Sequence, residues 1–108
     1  MWRRVCVFIC ALGFAAHAAM TAAAAETIRI SVNKLTFVPA HVSAHIGDTI
    51  EWVNNDFVAH TATSRGKDWE VAIPAGGSGN VAFTSAGEFE YYCRFHPNMI
   101  GKISASAK

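Results

Sequence analysis

The stretch YYCRFHPNMIG, residues 91–101, sets Cys93, His96 and Met99 at intervals of three. In an extended strand that spacing sends successive side chains to opposite faces. The three converge only where the chain leaves a strand and curls. A thiolate, an imidazole and a thioether together form a soft donor set suited to copper, and a trigonal His₂Cys site with a weak axial Met is the blue-copper arrangement. Zinc is poorly served by a thioether. Four protein donors also leave no vacancy of the kind that hydrolytic and oxygenase metal sites need for water or substrate. The chemistry left to such a site is one-electron exchange. A c-type haem is excluded because no C-x-x-C-H occurs.

The arrangement requires a second histidine from elsewhere in the chain. His41 and His45 lie in HVSAHIG, out of phase with Val42, Ala44 and Ile46. They belong to the solvent side of a strand and are expected to be simply hydrated. His60 lies in NNDFVAHTAT, where a polar loop gives way to a strand. It is the histidine placed to meet a cluster at the loop end of a β-fold. The candidate metal ligands are therefore His60, Cys93, His96 and Met99.

The elements that must position them are strands. TIRISVN turns Ile28, Ile30 and Val32 inward, and LTFVPA carries Phe37 before Pro39 marks a break or an edge. HVSAHIGDTIEWVNND alternates, turns at Gly47-Asp48, and resumes with Ile50 and Trp52. VAHTATS is a short β-prone run. RGKDWEVAIPAGGSGN is read as loops around a short apolar piece at residues 71–73, with the glycines of 76–79 as a turn. VAFTSAGEFEYYC forms two strands broken at Ala86-Gly87, with Phe89, Tyr91 and Cys93 sharing a face. GKISASA closes the series with Ile103 inside. Trp52 and Trp69 are expected in or beside the core. Short strands punctuated by Gly, Pro, Asn and Asp, with no convincing helix, indicate an all-β sandwich or barrel.

The 108 residues allow one domain. MWRR, then the apolar run VCVFICALGFAA, then the small residues of HAAMTAAAA form a signal-peptide pattern. The run is short for a span of about 20 residues. Residues 1–25 are thus read as a cleaved signal, without a lipid or membrane anchor, and residues 26–108 as the exported domain. That domain keeps 83 of the 108 residues, with seven Lys and Arg against eight Asp and Glu. The balance supplies no basic face for nucleic acid. Cys6 and Cys10 leave with the signal, so Cys93 remains alone and has no intramolecular disulfide partner. An exported lone thiol needs burial or a bound metal.

With these residues in hand, the chain resembles the cupredoxin family over essentially all of residues 26–108, and within it the amicyanin branch and related small plastocyanin-like proteins. The resemblance rests on LTFVPAHVSAHIGDTIEWVNNDFVAHT and on GEFEYYCRFHPNMIGKI, whose C-x-x-H-x-x-M loop followed by Gly is the branch's short form. It implies a Greek-key β-sandwich and one type 1 copper, with His60, Cys93 and His96 equatorial and Met99 axial. It further implies a periplasmic, non-enzymatic electron carrier, expected to be monomeric. Such a carrier would run between a dehydrogenase donor and a cytochrome or oxidase acceptor, docking near the exposed edge of His96. An apolar patch around that edge would draw on Phe57, Ile73, Pro74, Phe95, Pro97 and Ile100. Many members follow the first His with Asn; Thr61 stands here, and its hydroxyl could brace the two ligand loops instead. The other reading is a copper-handling protein that stores, delivers or senses the metal. Met99 is the sole methionine after residue 25, so the Met-rich tract typical of copper handling is missing.

Overall fold

The computed structural model of the protein describes Gly13 and residues 24–107. The signal segment read over residues 1–25 lies, apart from Gly13, Ala24 and Ala25, outside the described residues.

Nine strands and no helix make up the described residues: β1 Thr27–Asn33, β2 Thr36–Val38, β3 His41–His45, β4 Thr49–Asn54, β5 His60–Ser64, β6 Glu70–Ile73, β7 Ser78–Ala82, β8 Gly87–Tyr92 and β9 Ile100–Ser106. They form two sheets, ordered β2-β1-β4-β7 and β3-β9-β8-β5-β6. β1 runs parallel to β4 and β3 parallel to β9, while the other pairs are antiparallel. Parallel neighbours cannot be joined by hairpins, so the chain crosses between the sheets. The result is the expected sandwich.

Period-2 alternation decides the inner faces. Ile30 and Val32 of β1 and Ile50, Trp52 and Asn54 of β4 are buried, as are Val42 and Ala44 of β3 and Ile103 and Ala105 of β9. Arg29, Ser31, Ser43 and the two β3 histidines alternate outward. Trp52 and Tyr91 are fully buried at the centre. Their rings meet edge to face at 5.5 Å, Phe37 meets Tyr91 at 4.7 Å, and the Trp52 indole N–H donates to the Tyr91 hydroxyl at 3.3 Å. Each such aromatic removes about 150–250 Å² from water, or about 4–6 kcal/mol before entropy is charged against it. Trp69 is half-buried, stacked at 5.6 Å on Trp52. Tyr91 shares a face with Cys93, so the rigid core fixes the strand that delivers the thiol. Gly101 lies opposite Tyr91 in the β8–β9 register, and a Cβ there would collide with the Tyr91 ring.

One sequence expectation needs correction. The glycine-rich stretch 76–79 is not all turn. The turn is earlier, with the Gly77 N–H bonded to the Pro74 carbonyl at 2.9 Å and Gly76 at φ 66°. β7 begins at Ser78, and Gly79 pairs with Trp52. Gly79 serves close approach: a Cβ there would lie 2.5 Å from both the Ala72 carbonyl oxygen and Val71 Cγ1, in the opposing sheet. Likewise β6 is a true strand, paired along β5 from His60↔Ile73 to Thr63↔Glu70.

Candidate metal centre

His60 is the first residue of β5, buried at 1 % exposure, and Cys93 directly follows β8, fully buried. These two strands are neighbours in one sheet, which brings a residue 33 positions upstream against the thiol. His60 Nδ1 lies 3.6 Å from Cys93 Sγ, and His96 Nδ1 lies 3.8 Å from the same sulfur. The two imidazoles meet edge to face with centroids 5.0 Å apart. The donor atoms of His60, Cys93 and His96 all lie within 4.8 Å of one another.

The loop from Cys93 to Met99 is wound by its own backbone. The His96 N–H donates to the Cys93 carbonyl at 3.3 Å, the Met99 N–H to the His96 carbonyl at 2.9 Å, and the Cys93 N–H to the Met99 carbonyl at 3.1 Å. These bonds return Met99 to the start of the loop, and its side chain is buried at 2 % exposure. His96 is half-buried while His60 is sealed in, so the two imidazoles differ in access to solvent. His41 and His45 stand apart and exposed, His41 against Ser104 Oγ at 2.8 Å and His45 with Nδ1 3.8 Å from Asp48.

The thiol and imidazoles fit copper in ways the donor list alone does not show. The Thr61 N–H points at Cys93 Sγ and donates to it at 3.4 Å. His60 Nε2 lies 2.8 Å from Asp56 Oδ2. With the carboxylate ionised, Nε2 carries the proton and Nδ1 turns its lone pair toward the sulfur. A free lone pair beside a hydrogen-bonded thiol is what a soft cation requires.

A set of polar residues surrounds the cluster. Thr61 Oγ1 accepts the Arg94 N–H at 2.9 Å and lies 2.9 Å from Thr63 Oγ1, tying the strand of His60 to the loop of His96. The Thr61 hydroxyl thus bridges the two segments. Arg94 itself reaches Glu70 at 2.8 and 3.1 Å, and Thr63 donates to Glu70 at 2.9 Å. Arg94, then Thr63, hold the exposed Glu70 carboxyl below its ordinary range. Asn54 and Asp56 were not singled out by sequence reading. Asn54, buried at 1 % exposure, donates to the carbonyls of Val58, Ile73 and Pro74 and accepts the Asp56 N–H. Its signal was legible: a polar residue in phase with Ile50 and Trp52. Asp56 offered a weaker one, an acid four positions before a candidate ligand histidine. Its carboxyl is held below the ordinary range, chiefly by the Leu35 N–H, with His60 and the Lys34 N–H adding and partial burial opposing.

Apolar side chains are exposed in the segments that flank the cluster in sequence. Phe57 is fully exposed, and Val58, Phe95 and Ile100 are about half exposed, beside exposed Pro74 and Pro97. Ile73 does not join them. It faces the core at 1 % exposure, because its β6 register turns it inward beside Val71.

The cupredoxin-like domain family matches residues 4–105. The chain belongs to the cupredoxin-like family. Among curated cupredoxins it is 27 % identical to the amicyanin of Paracoccus versutus over 85 residues, which cover 73 % of this chain and 64 % of that one. It is 28 % identical to amicyanin-alpha of Methylorubrum extorquens over 115 residues, covering 93 % and 97 %. The chain thus spans just under two thirds of the Paracoccus versutus amicyanin and nearly all of the Methylorubrum protein. The crystal structure of Paracoccus versutus amicyanin superimposes with a TM-score of 0.65 at 26 % identity, covering 81 % of this chain and 86 % of that one. The Cu(I) form of an amicyanin variant does so with 0.66 at 23 % identity, covering 76 % and 84 %, a likeness of fold.

Proposed function

We propose that this cupredoxin is a type 1 copper electron carrier, with His60, Cys93 and His96 as equatorial ligands and Met99 as the axial one. The observation that carries the reading is a fully buried lone thiol with two imidazole Nδ1 atoms 3.6 and 3.8 Å away. Copper bound there would supply a Cu(I)/Cu(II) couple. The protein's part is to hold the donors in one geometry for both oxidation states. β5 and β8 fix His60 and Cys93 on the core, and the Thr61–Arg94 bond stops the ligand loop from drifting away from them. Little ligand movement then accompanies gain or loss of an electron.

His96, the more accessible imidazole, is the proposed exit. Phe57, Phe95, Pro97 and Ile100 are the proposed rim on which redox proteins dock. A small apolar surface suits brief encounters. The donor is proposed to be a dehydrogenase and the acceptor a cytochrome or oxidase. We place the protein in the periplasm, with residues 1–25 as its export signal and residues 26–108 as the working, monomeric, non-enzymatic domain.

The test is the visible spectrum of residues 26–108 titrated with Cu(II), then reduced with ascorbate and reoxidised. An intense blue band that bleaches and returns is expected. A pale product would refute the site. Loss of Cu(I) to a modest chelator would favour copper handling over electron transfer.

A further inference from the structure

We infer that export processing completes this fold: a signal peptidase cuts between Ala25 and Glu26, and the α-ammonium released at Glu26 locks onto the buried carboxylate of Asp48. The inference rests on the reading of residues 1–25 as an export signal and is independent of the metal.

Asp48 is held by the turn that joins β3 to β4, and it is buried at 3 % exposure. Its N–H donates to the His45 carbonyl at 3.0 Å, and its carbonyl accepts the Phe83 N–H at 2.9 Å. Gly47, at φ 98°, donates its N–H to the Phe83 carbonyl at 2.8 Å, which pins the turn just past the end of β7. The carboxylate therefore has little freedom to swing. Oδ2 accepts the His45 N–H at 2.8 Å, with the exposed His45 imidazole 3.8 Å away. Oδ1 accepts the Glu26 N–H at 2.9 Å.

Glu26 is where the chain joins the sandwich. Its carbonyl accepts the Thr49 N–H at 2.9 Å, one step before the β1–β4 pairing opens at Thr27↔Thr49. Ala24 and Ala25 precede it, exposed and outside any strand. The sequence leaves the cut in more than one frame. Residues 22–25 are all alanine, so a cut after Ala24 and a cut after Ala25 both satisfy the small-residue rule. The fold separates them, because only a cut after Ala25 puts the new amino group on the nitrogen already aimed at Asp48.

Hydrolysis adds water across the Ala25–Glu26 bond. The Ala25 carbonyl carbon takes the oxygen and leaves with the leader as a carboxylate. The Glu26 nitrogen takes both protons and becomes an ammonium. One neutral N–H donor thus turns into a cation at the same place. A buried carboxylate is costly unless it is paired, and a charge-assisted hydrogen bond is about twice as strong as a neutral one. Glu26 is exposed, so the other N–H groups of the ammonium stay hydrated.

The experiment expresses the full chain in a bacterial host with an outer membrane and reads the N-terminus of the periplasmic product by sequencing and intact mass. A product that begins at Glu26 is expected. A product cut elsewhere overturns the inference and leaves the export reading standing; an uncut, retained chain overturns both. The metal-free product is then treated at pH 7 with an amine-acylating reagent, folded and in urea, with the exposed Lys67 as internal standard. A free α-amine titrates near 8, and a carboxylate in contact favours its protonated, unreactive form, so Glu26 should label about tenfold or more slowly when folded. Equal rates in the two states overturn the inference. In Asp48→Asn the folded protein should label near the urea rate, and continued slow labelling also overturns it. The wild-type comparison decides alone if Asp48→Asn fails to fold.

Discussion

Thr61→Val would separate the hydroxyl that bridges the two ligand segments from the volume it occupies. Valine keeps the shape and the β preference of the site, and the Thr61 N–H that reaches Cys93 Sγ belongs to the backbone and survives. What is lost is the acceptor of the Arg94 N–H, a 2.9 Å bond in a partly buried setting, together with the 2.9 Å contact to the Thr63 hydroxyl. A donor stranded in that way costs about 1–3 kcal/mol, and partial access to water favours the lower half of that range, about 1–2 kcal/mol. For a domain of this size each kcal/mol moves Tm by roughly 4–8 °C, so the metal-free variant should melt roughly 4–16 °C below wild type. Metal-free protein is the right sample, because a ligand that binds only the folded state would mask part of the loss. Amide exchange of Arg94 reads the bond directly. Its N–H should be protected in wild type and exchange faster in the variant, while the blue band of the copper form is retained. Equal protection of Arg94 in both proteins, with a Tm change under roughly 2 °C, would refute the bridge.

Cys93→Ser should abolish the blue band, since the thiolate is its source; spectroscopy after Cu(II) addition decides. Met99→Leu should still bind copper but at a raised potential, because removing the thioether withdraws an electron donor from the site; voltammetry showing no change would remove Met99 from the axial role. His41→Ala combined with His45→Ala should leave the copper spectrum as it was, both side chains being exposed and outside the His60–Cys93–His96 cluster. Burial pushes the Tyr91 hydroxyl up to about 12, against an ordinary value near 10. The unfolded chain then gives up that proton first and is favoured as pH rises. Stability should be intact below pH 10 and fall by up to about 3 kcal/mol between pH 10 and 12. Tyr91→Phe should flatten that fall in urea titrations at fixed pH.

Much of the centre can be read from local pattern. Ile30, Val32, Ile50, Trp52 and Ile103 bury because a strand has period two and one face of each strand is apolar. The donor types of Cys93, His96 and Met99 point to a soft metal whatever the fold. Choosing His60 over His41 and His45 also follows from phase, since a histidine out of register with core residues faces water.

Other features depend on contacts between segments distant in sequence. Ile73 looks like a surface candidate beside Pro74 until its pairing with His60 turns it inward. Gly79 looks like a turn residue until the opposing sheet lies 2.5 Å from where its Cβ would be. Asp56 gains its role from Lys34 and Leu35, more than twenty residues away, and Thr61 from Arg94, 33 residues on. Periodicity and donor chemistry are properties of neighbouring residues, so they are legible along the chain. The hydrogen bonds that brace the candidate ligands from outside their own loop join segments distant in sequence, and they exist only once those segments have been brought together by the fold.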